Sequence, residues 1–162
     1  MSVEEIIEAI KWFCFNYSPR HEPTHQEFQD GLSEFLRKRD CKVIEEYGLF
    51  FDSVKISGEI VERRGGYIDL FVFFNQQKIA IEFDSGNNLR LKSISKLLQS
   101  EADILIGIVR GNQRYNVWYS NKRRITDVMK RLQILRKPIL LIIIYQKSAS
   151  WIYAFYKRSG FD

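Results

Sequence analysis

The sequence predicts an α/β fold in which a central mixed β-sheet is flanked by helices on both faces. Two continuous apolar runs, residues 67–74 and 139–145, are typical of central strands that are buried on both faces. Segments with apolar residues at helical spacing alternate with such runs, and the clearest covers residues 122–135. A chain of 162 residues is long enough to bury a substantial core as one domain. We therefore expect a single domain over residues 1–162.

The first half of the chain predicts two helices followed by strands. Residues 3–17 carry apolar side chains at helical spacing and belong to an N-terminal helical extension, residues 1–20. Thr24 and Glu27 have the spacing of a capping box, so a second helix should begin there. The next elements are expected to be a strand at 42–47, an unclear segment at 48–58, and a strand at 59–74 that is interrupted at 63–66.

The second half begins with a tight turn at residues 75–77, which predicts an antiparallel hairpin between the strand before it and a strand at 78–84. The elements expected after it are a helix at 90–101, a strand at 103–109, a polar loop or short strand at 111–121, a helix at 122–135, a strand at 139–145, and a strand at 151–156 that closes the sheet edge. Residues 111–162 would then form a C-terminal helix and strands.

The charge of the chain suits a polyanionic partner such as nucleic acid. There are 25 Lys and Arg residues against 20 Asp and Glu, which gives a net charge of +5 and an isoelectric point near 9.2. Cys14 and Cys41 match no metal-ligand spacing and no disulfide framework, which is typical of reduced cysteines in an intracellular protein. The acidic, amphipathic start is unlike a signal peptide, and the longest apolar run is too short to cross a bilayer. We expect a cytoplasmic protein with no membrane partner.

Three acidic residues, Asp69, Glu82 and Asp84, lie inside apolar strand segments, where an unpaired charge is costly. Glu82 and Asp84 project from the same face of one strand, and the hairpin would bring Asp69 close to them. Such a set of carboxylate oxygens is preferred by Mg²⁺ or Mn²⁺, and the ion can activate water for phosphoryl transfer. The alternative is a set of salt bridges to basic residues of the same strands, such as Arg63 and Lys78.

The same chemistry needs a cationic side chain near the attacking water, and Lys92 and Lys96 are candidates. They lie one turn apart on a common face of the helix that follows the Glu82 strand. A solvated helix face is the alternative explanation for both.

Asp69, followed by Glu82-Phe83-Asp84 at the end of a strand, resembles the motif of the PD-(D/E)xK nuclease superfamily, which has the restriction-endonuclease-like fold. The similarity extends back to the capped helix and forward to the strand at 103–109, so the resemblance implies a core of the domain at about residues 24–110. The resemblance implies a metal-dependent nuclease that hydrolyses phosphodiester bonds in DNA, with Asp69 and Glu82 as ligands of Mg²⁺ or Mn²⁺. It also offers Glu27 as a candidate additional acid, although the capping box already explains this residue.

The chain departs from the family pattern at Asp84. This residue stands two positions after Glu82, where the motif lysine belongs, and in a nuclease it would ligate the metal or orient water. Some members of the family carry the lysine on the following helix, and both Lys96 and Lys92 match that arrangement. If neither lysine serves the site, Asp84 indicates altered chemistry or lost activity. The chain would then be a catalytically inactive nuclease-fold module for DNA binding or assembly.

Two basic groups are candidates for nucleic-acid contacts. Arg63 and Arg64 precede two glycines that let a backbone and a phosphate approach closely, and an exposed β-turn is the alternative. Lys122, Arg123 and Arg124 lie on the basic face of the 122–135 helix, which suits a nucleic-acid backbone but is also what solvation requires.

The remaining expectations concern the ends of the chain. Nucleases that cut both strands often pair as two-fold dimers, and the aromatic segment 151–156 is the candidate sheet edge for a homodimer. His21 and His25 flank a turn and have no spacing to other metal ligands, so the sequence favours a structural role for both.

Overall fold

The computed structural model describes residues 1–17, 24–54, 60–111, 116–134 and 137–145, together with the short strands at 156–157 and 160–161. The helices in this part of the chain are α1 (Val3–Asn16), α2 (His25–Arg37), α3 (Leu91–Gln99) and α4 (Asn116–Leu132). The strands are β1 (Lys42–Val54), β2 (Ile60–Phe74), β3 (Gln77–Asp84), β4 (Ile104–Gly111), β5 (Ile139–Tyr145), β6 (Tyr156–Lys157) and β7 (Gly160–Phe161).

Strands β1 to β5 form one mixed sheet in the order β1-β2-β3-β4-β5. β1, β2 and β3 are antiparallel neighbours, whereas β4 and β5 run parallel to β3. Each parallel connection passes through a helix, α3 before β4 and α4 before β5, because parallel neighbours need a crossover. The predicted α/β fold with a mixed sheet is confirmed.

Helices cover both faces of this sheet. α1 and α2 pack on one face, which we call the α2 face, where Ile10 and Phe28 join the strand residues Ile81 and Ile106 in one buried cluster. α3 and α4 pack on the opposite face, the α3 face, where a second buried cluster forms. Both faces of the central strands are therefore apolar, as the continuous apolar runs in the sequence predict.

The start of α2 is defined by the predicted capping box. Thr24 Oγ1 accepts a hydrogen bond from the Glu27 amide at 3.1 Å, and Glu27 Oε1 accepts one from the Thr24 amide at 3.4 Å. Phe28 and Leu32, one turn apart, are buried against the sheet. The cap and this apolar stripe together determine where the first residue of the helix, His25, lies.

The hairpin of β1 and β2 is longer than the sequence predicts. β1 continues to Val54, and β2 runs without interruption through the segment with two arginines and two glycines. Arg64 lies opposite Phe51, and Gly66 lies opposite Leu49. Cross-strand pairing therefore outweighs the low strand propensity of the glycines.

The C-terminal part differs from the predicted elements in two places. α4 begins at Asn116, inside the segment for which the sequence predicts a polar loop or short strand. Of the strand predicted at 151–156, residues 151–155 lie outside the described residues, and Tyr156–Lys157 pairs with Gly160–Phe161 in a separate two-stranded sheet. Tyr156 thus does not extend the five-stranded sheet, and the dimer contact stays a prediction.

Two general expectations can be compared with the described residues. Cys14 and Cys41 are buried and carry free thiols. Within the described ranges, no helix has both the length and the apolar character needed to cross a membrane.

Candidate active site

The candidate site lies where the sheet divides between β2 and β3. The pairing of these strands ends at Leu70 and Ile81. Beyond that pair, β2 stays hydrogen-bonded to β1, while β3 stays hydrogen-bonded to β4. We call this point of separation the fork. Asp69 and Glu82 are the first residues beyond the last pair, so the hairpin itself places them together.

In the fork, side chains accept the backbone hydrogen bonds that would otherwise join β2 to β3. The Asp69 amide donates a hydrogen bond to Glu82 Oε2 at 3.2 Å, and the Phe83 amide donates one to Asp69 Oδ2 at 2.8 Å. Backbone amides in the interior require such partners. Each carboxylate is therefore oriented by the strand opposite it.

The two strands of the long hairpin also change faces beside the fork. Ile68 packs on the α3 face and Leu70 on the α2 face, although residues two apart on a strand normally share a face. β1 changes in the same way between Val43 and Tyr47. Between them, Glu46 has a φ of 55°, in the left-handed region that a non-glycine residue rarely adopts. Backbone strain of this kind is concentrated at functional sites.

Asp69 and Glu82 have pKa values displaced in opposite directions. Burial, the hydrogen bond to Asp69 and the negative charge of Asp69 raise the pKa of Glu82 well above its usual range, against the effect of Lys96. Burial alone would raise the pKa of Asp69, but hydrogen bonds from His25, Glu82 and the Phe83 amide outweigh it and lower the pKa. The two carboxyl groups therefore titrate as a coupled pair, with the pKa of Glu82 raised and that of Asp69 lowered.

Lys96 is the lysine that reaches this pair. It is buried, and its Nζ contacts Glu82 Oε1 and donates a hydrogen bond to the Tyr67 carbonyl at 2.7 Å. Gly66 leaves room for its stem, because a Cβ at that position would lie 3.5 Å from Lys96 Cδ and 2.7 Å from the Phe51 ring. Lys96 is thus held by Tyr67 on β2 and by Glu82 on β3.

Lys92, one turn earlier on α3, lies closer to solvent than Lys96. Burial and the positive charges of Arg64, Lys96 and Arg90 lower the pKa of Lys92, while Glu82 acts in the opposite direction. Four basic side chains therefore gather on the α3 side of the fork. Such a cluster beside two acids suits a phosphate group.

His25 belongs to the site, although its sequence spacing gives it no role there. Its Nε2 lies 3.2 Å from Asp69 Oδ1, and this hydrogen bond raises the pKa of His25. Partial burial opposes the rise, and the charges of Asp69 and Asp84 add to it. His25 reaches the fork because it is the first residue of a helix packed on the α2 face. No local sequence signal marks this contact; His21 lies outside the described residues.

Asp84 is directed to Arg90 instead of joining the carboxylate pair. Its Oδ2 accepts a hydrogen bond from the Arg90 amide at 2.9 Å, and its Oδ1 accepts one from Arg90 Nε at 3.0 Å. This ion pair, in which Asp84 is buried and Arg90 is largely exposed, joins the end of β3 to the start of α3. In the described ranges, no three His, Cys, Asp or Glu side chains are grouped so as to hold a metal ion. The structure therefore brings together Asp69 and Glu82, and the predicted trio does not form one cluster.

Two other predicted residues lie away from the carboxylate pair. Glu27 uses its side chain in the capping box with Thr24. Arg63 is exposed on β2, and its Nη1 lies 3.9 Å from Asp52 Oδ1 on the neighbouring strand. Glu27 thus takes part in the capping box, and its role as an additional acid stays a prediction, whereas Arg63 lies on an open surface.

The basic residues predicted to follow a nucleic-acid backbone lie on α4, which packs against α3. Arg124 Nε donates a hydrogen bond to the Leu89 carbonyl at 3.0 Å, so this arginine fastens α4 to the loop before α3. Arg123 is exposed and Lys122 is half-buried. Of the three, Arg123 presents its charge most fully to solvent.

The donor set at the fork fits a hard divalent cation. Mg²⁺ is commonly held by one or two carboxylates and completes its coordination with water and substrate phosphates. Asp69 and Glu82 supply oxygen ligands, which suit Mg²⁺ or Mn²⁺ better than softer metals. Burial and then the hydrogen bond and negative charge of Asp69 raise the pKa of Glu82, effects that Lys96 opposes.

Comparison with known proteins gives little beyond these residues. No family model and no curated protein matches the sequence. A solved structure described as Pyrococcus furiosus SfsA in complex with Ca²⁺ matches over 79% of this chain, with 14% identity and a TM-score of 0.38. The chain spans 62% of the length of that protein. A match at this level says nothing about the site. The role of the site is therefore inferred from the residues of this chain.

Proposed function

We propose that this chain is a divalent-metal-dependent nuclease that hydrolyses phosphodiester bonds in DNA. The observation that supports the proposal is the pair Asp69 and Glu82, whose carboxyl groups meet at the fork beside the ammonium group of Lys96. Adjacent acids with pKa values displaced in opposite directions are typical of catalytic and metal sites. The motif in the sequence and the α/β fold agree with this function.

Each residue of the site has a role in this proposal. Asp69 and Glu82 would hold a Mg²⁺ or Mn²⁺ ion through their oxygens. Such an ion activates water and offsets the charge that develops on the phosphoryl group. Lys96, fixed beside Glu82, stabilises negative charge in a buried setting where a cation acts strongly. Lys92 and Arg64 lie on the accessible side of the same cluster and would bind phosphates of the strand.

Lys96 takes the place of the motif lysine in this proposal, since the motif position holds Asp84. Asp84 supports the site indirectly, because its ion pair with Arg90 joins the end of β3 to the start of α3. That junction sets the position of α3 and therefore of Lys96 relative to Glu82. The Asp84–Arg90 contact and the Lys96–Glu82 contact therefore both join β3 to α3.

The test is incubation of the purified protein with plasmid, single-stranded and junction DNA in the presence of Mg²⁺ or Mn²⁺. Asp69→Asn and Glu82→Gln keep the shape of each side chain and remove its charge, so each should abolish cleavage while circular dichroism reports an intact fold. Glu34→Gln is the matched control, because Glu34 lies on the exposed side of α2 and forms an ion pair with Lys38, 3.3 Å away. Cleavage retained by either fork variant contradicts the proposal.

A second candidate function is a nuclease-fold module that binds DNA, or assembles with partners, without cutting. Asp84 favours it, because this residue occupies the position of the motif lysine and both of its oxygens are engaged by Arg90. The two functions differ in their need for metal. Titration with Mn²⁺, followed by electron paramagnetic resonance, should detect binding that Glu82→Gln abolishes if the protein is a nuclease. DNA binding without such a metal site would favour the module.

A further inference from the structure

The β1–β2 arm is the part of the sheet beyond the fork, residues 47–54 of β1 and 60–68 of β2. Tyr47 and Leu49 pack on the α3 face, so the alternate residue Phe50 lies on the opposite side, which we call the outer face of the arm. This face is open to solvent. Phe50 is 70% exposed and Tyr67 is 62% exposed. Two large rings on one surface of one hairpin form an aromatic patch that folding does not bury.

Each ring of this patch lies over a glycine on the neighbouring strand. Phe50 is opposite Gly65, and Tyr67 is opposite Gly48. A Cβ on Gly65 would lie 3.6 Å from the Phe50 ring, and one on Gly48 would lie 3.8 Å from the Tyr67 ring. The rings therefore contact backbone on one side and stay accessible on the other. Phe50 and Tyr67 are diagonal neighbours on paired strands, about 7–8 Å apart, so both rings lie within one small area of the outer face.

The aromatic patch leads directly to the fork. Tyr67 and Asp69 are two residues apart on β2, a distance of about 7 Å along a strand. The Tyr67 carbonyl also accepts the hydrogen bond from Lys96, so its backbone is part of the site. At the other end of the same face, Arg63 has a side chain that is 66% exposed. A chain crossing the outer face would meet a cation, two rings and then the carboxylate pair.

We infer that the outer face of the arm binds unpaired bases of single-stranded DNA by stacking on Phe50 and Tyr67, and that this directs the neighbouring phosphate to the fork. Aromatic platforms flanked by cations are the common means of holding single strands, because every base has a π-face. Duplex DNA keeps its bases stacked on one another and offers the rings no such face. Cleavage of the bound DNA at the fork rests on the proposed function. Binding of single-stranded DNA to the two rings does not.

Charge favours this ligand over a second copy of the chain. The protein has a net charge of +5, and Arg63 lies on the patch itself. Asp52 lies 3.9 Å from Arg63 on the neighbouring strand, and a second copy would bring the same net charge of +5 to the contact, which opposes self-association. A polyanion complements both features.

The test measures binding of a short fluorescein-labelled single-stranded oligodeoxynucleotide by fluorescence anisotropy in EDTA, where no metal-dependent cleavage occurs. Phe50→Ala and Tyr67→Ala should each weaken binding about tenfold, and the double variant more, while binding to the annealed duplex stays unchanged. Phe50→Tyr and Tyr67→Phe keep the rings and should keep the affinity. Trp12→Ala is the matched control, because it removes a ring that is 57% exposed on α1, away from the arm.

Equal affinity of the alanine variants and the wild type for the single strand would overturn the inference. So would self-association of the wild type that the double variant abolishes in analytical ultracentrifugation, since the face would then belong to a second copy. Cleavage is not measured in either experiment. A protein that binds single strands through the rings but cuts no DNA supports this inference and contradicts the proposed nuclease activity.

Discussion

Glu82 lies in surroundings that differ greatly from those of a glutamate in water. It is buried, it is hydrogen-bonded to Asp69, and Lys96 offsets these effects only in part, so its pKa is raised. A carboxyl group in this setting keeps its proton at a pH where an exposed glutamate has lost it. A metal ion bound to the pair would displace that proton, so metal affinity should rise with pH.

We expect the stability of the metal-free protein to fall as the pH rises through the raised pKa of Glu82. The folded state favours protonated Glu82, so this residue contributes its full stabilisation below the pKa of an unfolded glutamate, about 4.3, and loses it above the raised value. Urea unfolding in EDTA, over a pH series that begins below the pKa of an unfolded glutamate and continues into the alkaline range, measures the free energy of unfolding.

Glu82→Gln is the reference protein for this experiment, because it lacks the titrating group. The raised pKa of His25 gives a loss of stability in the same direction, but it is present in both proteins. The lowered pKa of Asp69 acts in the opposite sense and over a more acidic range. Parallel pH profiles for wild type and variant would show that Glu82 does not carry the shifted proton.

We expect substitution of Lys96 to affect the cleavage rate and substitution of Lys92 to affect DNA binding. Lys96→Met removes the buried ammonium group that contacts Glu82, so the single-turnover cleavage rate should fall by about 10²–10³-fold. Lys92→Met removes a more exposed charge and should mainly weaken binding of the DNA. Rates measured at saturating DNA separate the two effects. A rate loss confined to Lys92→Met would assign the catalytic role to that lysine instead.

At the scale of elements, the fork and the helix that caps it act together. β2 and β3 separate beyond Leu70 and Ile81, so the carboxylates of Asp69 and Glu82 lie in the gap between the two strands. α2 then places its first residue, His25, against Asp69. A partner that orients a ligating carboxylate typically changes metal affinity by about 10–100-fold when it is lost.

Thr24→Ala should therefore affect both stability and metal binding. Loss of the N-cap hydrogen bond to Glu27 costs about 1 kcal/mol of unfolding free energy. It also loosens the first turn, so the affinity for Mn²⁺ should fall by up to about tenfold as His25 is held less firmly. Urea unfolding and Mn²⁺ titration measure the two effects.

Ser2→Ala is the control for this variant. Ser2 caps α1 in the same way, with its Oγ accepting a hydrogen bond from the Glu5 amide at 3.2 Å, but it lies outside the fork. It should lose a similar amount of stability and keep its Mn²⁺ affinity. If both variants bind Mn²⁺ equally well, the cap does not position the metal site through His25.

At the scale of the whole molecule, what matters about the net charge of +5 is where the basic side chains lie. Arg64, Lys92, Arg90 and Lys96 gather on the α3 side of the fork, and Arg63 lies on the outer face of the arm. The described acids Asp69 and Glu82 are enclosed between these groups. A DNA strand entering the fork would therefore pass basic side chains on both sides of the arm.

Arg64→Gln should lower the slope of log affinity against log salt concentration for DNA by about one. The reason is that one phosphate contact, and the counterion it releases, is lost. Lys38→Gln is the control, because Lys38 carries the same charge at the far end of α2, where it pairs with Glu34. Equal slopes for wild type and Arg64→Gln would place the path of the DNA elsewhere, with the exposed Arg123 on α4 as the next candidate.

The sequence by itself determines the fold class and the central pair of the site. Apolar runs with two buried faces predict central strands, and helical spacing predicts the layers that cover them. The turn at 75–77 is local, so the pairing that brings Asp69 to Glu82 follows from the chain alone. The capping box at Thr24 and Glu27 is equally local, and the structure contains it.

Only the tertiary structure decides which other groups join the pair. His25 meets Asp69, and Lys96 meets Glu82, because helices on opposite faces of the sheet converge at the fork. Asp84 shares a strand face with Glu82, yet its partner is Arg90 on the next element. Periodicity identifies faces and turns, whereas burial and the choice of partner depend on how the layers pack. The candidate acids are therefore readable in the sequence, and their partners are not.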